Sequence, residues 1–239
     1  MSLLRCTGLG KHFGGVAAVE DFALAVEEGE ILGLIGPNGS GKTTVLNMLS
    51  GFLAPDRGSV WLADEEVTRM APAALARRGL LRMFQITRVF TRISAFDNLL
   101  TAGLARGLSE REAGQRAVAL LEELTLSAVR YLDAGQLSGG QRKLLEFGMC
   151  FMAPPRVALL DEPFAAVHPV MRETMAAFIR ARNAQGHTFL VVSHDMPIVV
   201  ELCHRTACMS AGRLIAVGAT RTVLKEHAVI EAYLGSGDG

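Results

Sequence analysis

No charge of one sign dominates this 239-residue chain, in which Lys+Arg and Asp+Glu both number 24. The balance gives no electrostatic reason to expect a nucleic-acid partner, which calls for a concentrated basic surface. Long hydrophobic runs are also missing, although 50% of the residues are hydrophobic and the mean hydropathy is +0.29. Apolar stretches such as Val157-Ala158-Leu159-Leu160 and Phe189-Leu190-Val191-Val192 are short, whereas a bilayer helix needs roughly 20 apolar residues. The start, Met1-Ser2-Leu3-Leu4-Arg5, shows no basic flank, apolar run and small-residue cleavage site in succession. The sequence therefore predicts a cytosolic chain whose apolar surface is covered by a partner. Cysteines are few. Cys6, Cys150, Cys203 and Cys208 are scattered rather than set out as a disulfide framework. Cys203-His204-Arg205-Thr206-Ala207-Cys208 brings two thiols and an imidazole close together, but no CxxC pairs stand at ribbon spacing. A buried structural role is the expectation there.

Internal repeats, low-complexity segments and Pro/Gly/Ser-rich linkers are absent too, which argues against a chain of separate domains. The first ninety or so residues alternate short β-like runs with turns. Glu30–Ile35 reads as a buried strand that ends in a Gly-rich turn and enters a helix near Thr43. From Ser94 to Met152 the pattern turns helical, with Val118, Leu120, Leu121 and Leu124 at helical spacing. After Pro155 the alternation returns, as strand 156–160, helix 170–184, strand 188–192 and a helix near 195–203. Strands separated by helices imply parallel pairing. The expectation is one α/β domain over 1–239. Residues 1–90 and 155–220 would form its core, 91–154 a helical subdomain, and 221–239 a helical tail.

Gly36-Pro37-Asn38-Gly39-Ser40-Gly41-Lys42-Thr43, followed by Thr44, fits GxxxxGK[ST] and sits between a strand and a helix. Glycines there let backbone N–H groups wrap around phosphate oxygens, and the helix N-terminus adds partial positive charge. Lys42 can reach the β- and γ-phosphates, and the Thr43 hydroxyl can ligate Mg²⁺. Val157–Leu160 is a buried strand with Asp161 and Glu162 emerging at its C-terminal end, where open α/β sheets bind ligands. Asp161 is suited to hold Mg²⁺ and Glu162 to polarise an attacking water as general base. Leu137-Ser138-Gly139-Gly140-Gln141 opens a helix and makes a second anion site, with N–H groups and the Ser138 hydroxyl free to donate.

With two phosphate-binding turns and a carboxylate pair in this order, the sequence resembles the ABC transporter ATPases. The resemblance implies a P-loop NTPase core of that type with an inserted helical subdomain, ATP and Mg²⁺ as cofactors, and ATP hydrolysis. It also implies that the Ser138 turn of one subunit closes over the γ-phosphate held by another, in a homo- or heterodimer. Further partners would be integral membrane permease subunits and a solute-binding protein, with no nucleic acid. The chain would then lie in the cytoplasm, peripheral on the inner face of the membrane. Gln85 stands where the family places a glutamine that touches Mg²⁺. His194 stands where the family places a histidine that contacts the γ-phosphate and orients the catalytic carboxylate and water. Phe13 stands near the family's aromatic that stacks on adenine, although a core role would also suit it.

Phe13-Gly14-Gly15, Asp161-Glu162-Pro163-Phe164-Ala165 and the ending Ala232-Tyr233-Leu234-Gly235 resemble the branched-chain amino acid transporter ATPases and their relatives in lipopolysaccharide export. Amino acid import is the implied task, with export or a non-transport ABC ATPase as alternatives. Arg88-Val89-Phe90 and Phe96 could form a groove for a permease helix or simply pack the subdomain. His168, in Ala165-Ala166-Val167-His168-Pro169, departs from the family's usual Asp or Asn in a segment that crosses the dimer interface.

Overall fold

The computed structural model describes residues 2–84, 88–165 and 167–234. The chain opens with a hairpin, β1 (Ser2–Phe13) and β2 (Val16–Glu27), whose Phe13↔Val16 register leaves Gly14-Gly15 as the turn. Strands β4 (Arg57–Leu62) and β5 (Glu65–Glu66) extend it into an antiparallel sheet of order β2-β1-β4-β5. The second sheet contains β3 (Ile31–Ile35), β6 (Leu80–Met83), β7 (Val157–Asp161), β8 (Thr188–Val192), β9 (Arg205–Ser210) and β10 (Arg213–Ala219). Its order is β10-β9-β3-β8-β7-β6, with every pair parallel except β10–β9.

The parallel strands are apolar throughout because both faces of this sheet are covered. Period-2 alternation assigns Leu32, Leu34, Val157, Leu159, Leu190 and Val192 to one core, shared with the antiparallel sheet and helix α1 (Lys42–Leu49). Ile31, Ile35, Ala158, Leu160, Phe189 and Val191 point into the other. That second core also takes helices inserted between β6 and β7: α3 (Ala95–Leu104), α4 (Glu110–Glu123) and α5 (Gly139–Cys150). A short helix, α2 (Pro72–Arg77), precedes β6. Beyond β7 follow α6 (Pro169–Ala184), α7 (Met196–Leu202), α8 (Thr220–Val223) and α9 (His227–Leu234).

The insertion is held by aromatic packing. Phe147 and Phe151 meet Phe178 of α6 at ring distances of 5.1 and 5.0 Å, and Phe151 lies 6.1 Å from Phe189 of β8. Serine side chains start its helices: Ser94, Ser109 and Ser138 each accept a backbone N–H three residues on. One sequence expectation needs correction here. Val118 is exposed, and the buried stripe of α4 is Ala113, Ala117, Leu120 and Leu121, because at 100° per residue Val118 turns off that face. Arg88, Val89, Phe90 and Phe96 also do not share one groove. Arg88 lines a cleft with Phe52 and Phe84, Val89 and Phe90 line another beside α3, and Phe96 packs against Tyr131.

Candidate functional site

Three neighbouring strands deliver the site. Leu34 of β3 pairs with Val192 of β8, and Asp161 of β7 pairs with the same Val192 from the other side. Their C-terminal ends therefore place the glycine loop, the two carboxylates and His194 around one cleft, at the sheet edge where the strands hand over to helices. The cleft is about 690 Å³ and is lined by Gly36, Pro37, Asn38, Gly39, Gly41, Lys42, Thr43, Thr44, Asp161, Glu162 and His194. Ala18, Val192 and Tyr233 complete its wall.

Two glycines of the loop are required by close approach as well as by backbone angle. Gly36 has φ +145°, and a Cβ there would run into the Met209 carbonyl. Gly41 has φ +101°, and a Cβ would lie 2.6 Å from the Ala18 carbonyl oxygen. Ser40, buried, fixes the loop from behind: its carbonyl accepts from Gly212 N, 3.1 Å away in the β9–β10 turn. The Lys42 ammonium donates to the carbonyls of Gly36 and Pro37 at 2.7 and 2.8 Å. Burial holds its pKa below the usual lysine value, while the nearby charges of Glu162 and Asp161 oppose that shift. A cation facing two carboxylates across a loop of amides is an arrangement for a ligand that carries phosphates and a metal ion.

Asp161 is buried, and its Oδ2 accepts from the Arg82 guanidinium at 3.2 Å. Arg82 also donates to Asn47 Oδ1 and Ser50 Oγ at 2.5 and 3.0 Å, and so ties β6 and β7 to the helix that follows the loop. Its guanidinium packs on the Phe84 ring, 4.8 Å from the centroid. Glu162 adopts φ +48°, a left-handed conformation that costs a non-glycine residue on the order of 1 kcal/mol. Its N–H donates to Val192 O at 3.0 Å, which holds that turn. The carboxylate meets His194 Nδ1 at 3.0 Å, with the imidazole largely exposed to the cleft.

Other sequence-selected residues fall elsewhere. Ser138, Gly139, Gly140 and Gln141 lie off the cleft lining, at the N-terminus of α5 with Ser138 and Gly139 exposed. Two of the donors expected to be free are in use. Ser138 N donates to Gln141 Oε1 at 2.9 Å and Gln141 N to Ser138 Oγ at 3.2 Å, a reciprocal capping box. The Ser138 O–H and the first amides of the helix, on Gly139 and Gly140, remain for an anion. Phe13 is exposed at the hairpin tip and does not line the cleft, where Ala18 is the nearest contribution of β2. Gln85 lies outside the described residues. Cys203 and Cys208 are buried, and desolvation pushes their thiols up to about 12 and about 11. His168 caps α6, its Nδ1 accepting from Val170 N at 3.4 Å.

Sequence reasoning passed over two residues of this site. Arg82 interrupts the apolar run Leu80-Leu81-Arg82-Met83, and a charge inside a buried strand signals a buried partner. Tyr233 belongs to the terminal motif Ala232-Tyr233-Leu234-Gly235. Nothing in its spacing points to a loop nearly two hundred positions earlier.

A parallel sheet that feeds a glycine phosphate loop, with acids and a histidine at the neighbouring strand ends and a helical insertion between, defines a P-loop ATPase of the ABC type. Residues 19–165 match the family described as ABC transporter. The chain belongs to that family and is an ATP-hydrolysing subunit of a transporter. It is 36% identical to the high-affinity branched-chain amino acid transport ATP-binding protein BraF of Pseudomonas aeruginosa, over 98% of each chain. To the lipopolysaccharide export system ATP-binding protein LptB of Escherichia coli it is 35% identical, again over 98% of each. A crystal structure of the ADP conformation of an ATP-binding cassette of an ABC transporter superposes with a TM-score of 0.88 at 32% identity, over 98% of this chain and 99% of that one. Among the described residues no helix is long and apolar enough to cross a membrane.

Proposed function

We propose that this chain pairs with a second ABC ATPase subunit, closes with it around two ATP molecules, and drives membrane permease subunits that import branched-chain or other amino acids. The observation that carries the clamp is a separation within one chain. The Ser138 turn is an exposed helix N-terminus that does not line the cleft holding Lys42 and Glu162, so it is available to a neighbour's γ-phosphate.

Within the cleft, the amides of Gly41, Lys42, Thr43 and Thr44 surround the phosphates and Lys42 neutralises the terminal ones. The donor set fits Mg²⁺, a hard cation that takes oxygen ligands: the Asp161 carboxylate and Thr43 hydroxyl share the cleft, and Gln85 is the family's further ligand. Bound there, Mg²⁺ supplies charge neutralisation at the phosphates. Glu162 takes the proton from the attacking water, and His194 holds that carboxylate in place. Phe13, exposed at the hairpin tip, is the candidate to stack on adenine.

The amino acid reading is supported by the Phe13–Gly15, Asp161–Ala165 and Ala232–Gly235 motifs and by the similarity to BraF. With it come a solute-binding protein and attachment at the inner face of the membrane through the permease. Lipopolysaccharide export is the second reading, favoured by the near-equal similarity to LptB. The clamp is tested by mixing Ser138→Arg chains with Lys42→Ala chains. Neither alone should hydrolyse ATP appreciably, whereas a mixed dimer contains one complete composite site and should regain part of the activity; a mixture as inactive as its parts overturns the clamp. Proteoliposomes holding the chain with its permease should take up labelled leucine, isoleucine or valine with ATP. Stimulation of ATPase activity by lipopolysaccharide in place of uptake overturns import.

A further inference from the structure

The phosphate loop is held from an unexpected side. Helix α9, near the end of the chain, packs on β10 and buries Val229 in the core shared with the helical insertion. This seats Tyr233 against the same core, with its hydroxyl 2.7 Å from the amide nitrogen of Gly36. Gly36 is the first residue of the loop, buried and just past the end of β3 at Ile35. A buried N–H needs an acceptor, and the phenol oxygen is the one it has. The same side chain lines the cleft together with Lys42, Glu162 and His194. Burial of the phenol pushes its pKa up to about 12 against the Gly36 hydrogen bond, which lowers it, and the group is a neutral hydroxyl near neutral pH.

The geometry points to Tyr233 as a positioning residue of the ATP site, through which the seating of the C-terminal helix sets the conformation of the phosphate loop. The inference rests on the cleft being the nucleotide site. By linkage, any contact that seats or lifts α9 alters ATP affinity, and ATP in turn seats α9 by the same factor.

Tyr233→Phe removes the hydroxyl and keeps the ring that packs on the core. Losing one hydrogen bond of this kind corresponds to roughly a three- to tenfold change in an equilibrium. The expected result is an ATP dissociation constant about three- to tenfold higher and a KM raised with it. The kcat should stay within about twofold and the nucleotide-free melting midpoint should be close to wild type, because the altered step is binding. Hydrogen exchange on the wild-type chain gives an independent reading: ATP should slow amide exchange across 227–234, and Tyr233→Phe should reduce that protection. Unchanged ATP affinity in a folded Tyr233→Phe chain, or exchange in α9 that ignores ATP, overturns the inference. Failure of wild-type chain to bind ATP, or undiminished binding in Lys42→Ala, overturns the nucleotide site itself, a different result.

Discussion

Glu162 concentrates the chemistry of the site into one strained residue. It sits in a left-handed conformation immediately after a buried strand, its N–H bonded to Val192 and its carboxylate to His194. Strain of this kind persists where the surroundings fix it, and here it turns the carboxylate into the cleft beside Asp161. Asp161 has a different task because Arg82 occupies one of its oxygens. Two adjacent acids are thus separated in role by their partners, a cation for one and an imidazole for the other. Glu162→Gln keeps the shape and removes the base. Turnover should fall by about two orders of magnitude or more while ATP still binds, as steady-state hydrolysis and nucleotide titration would register. Near-normal turnover would remove Glu162 from the base role.

Among the elements, α6 links the departure at His168 to the rest of the site. His168 acts as its N-cap, with a long 3.4 Å acceptor contact to Val170 N and Pro169 at the first helical position. Arg172, one turn on, donates to Val167 O at 3.0 Å and to Asp195 Oδ2 at 2.6 Å, so α6 joins this segment to the residue after His194. An imidazole is a weaker cap than a carboxylate, which also suits the positive helix end. His168→Asp should therefore stabilise the chain by about 0.5–1 kcal/mol, raising the melting midpoint by roughly 1–4 °C. Single-site ATP binding should be unchanged and ATPase activity equal or higher. A midpoint that falls would show that the imidazole makes a contact a carboxylate cannot replace.

For the molecule as a whole, the parallel sheet is the common wall of two cores, and the helical insertion is built onto one of them. Phe147, fully buried, joins α5 to α6 and neighbours Phe151, which reaches β8. The insertion therefore has no separate core to melt alone. Phe147→Ala should cost about 3–5 kcal/mol and lower the midpoint of a single thermal transition by on the order of 10 °C. Two separated transitions in calorimetry would show that the insertion unfolds independently. The cost is a large part of a typical domain's stability.

Local chemistry made much of this protein legible in its sequence. The glycine loop, Asp161-Glu162 and His194 each follow a short apolar run, those runs became β3, β7 and β8 within a residue or two, and the Ser138 turn opens α5. Such features depend on neighbours along the chain: a strand period, a turn that only glycine permits, a serine that caps a helix. The tertiary structure alone decided which of them meet. It brought the loop, the acids and His194 to one cleft because β3, β8 and β7 pair side by side, and it left the Ser138 turn outside that cleft. It turned Val118 outward and placed Arg82 against Asp161. It also delivered Tyr233 to Gly36 from the far end of the chain. Those contacts join residues far apart in sequence, and they follow from strand order and the packing of whole elements, which no local pattern of residues encodes.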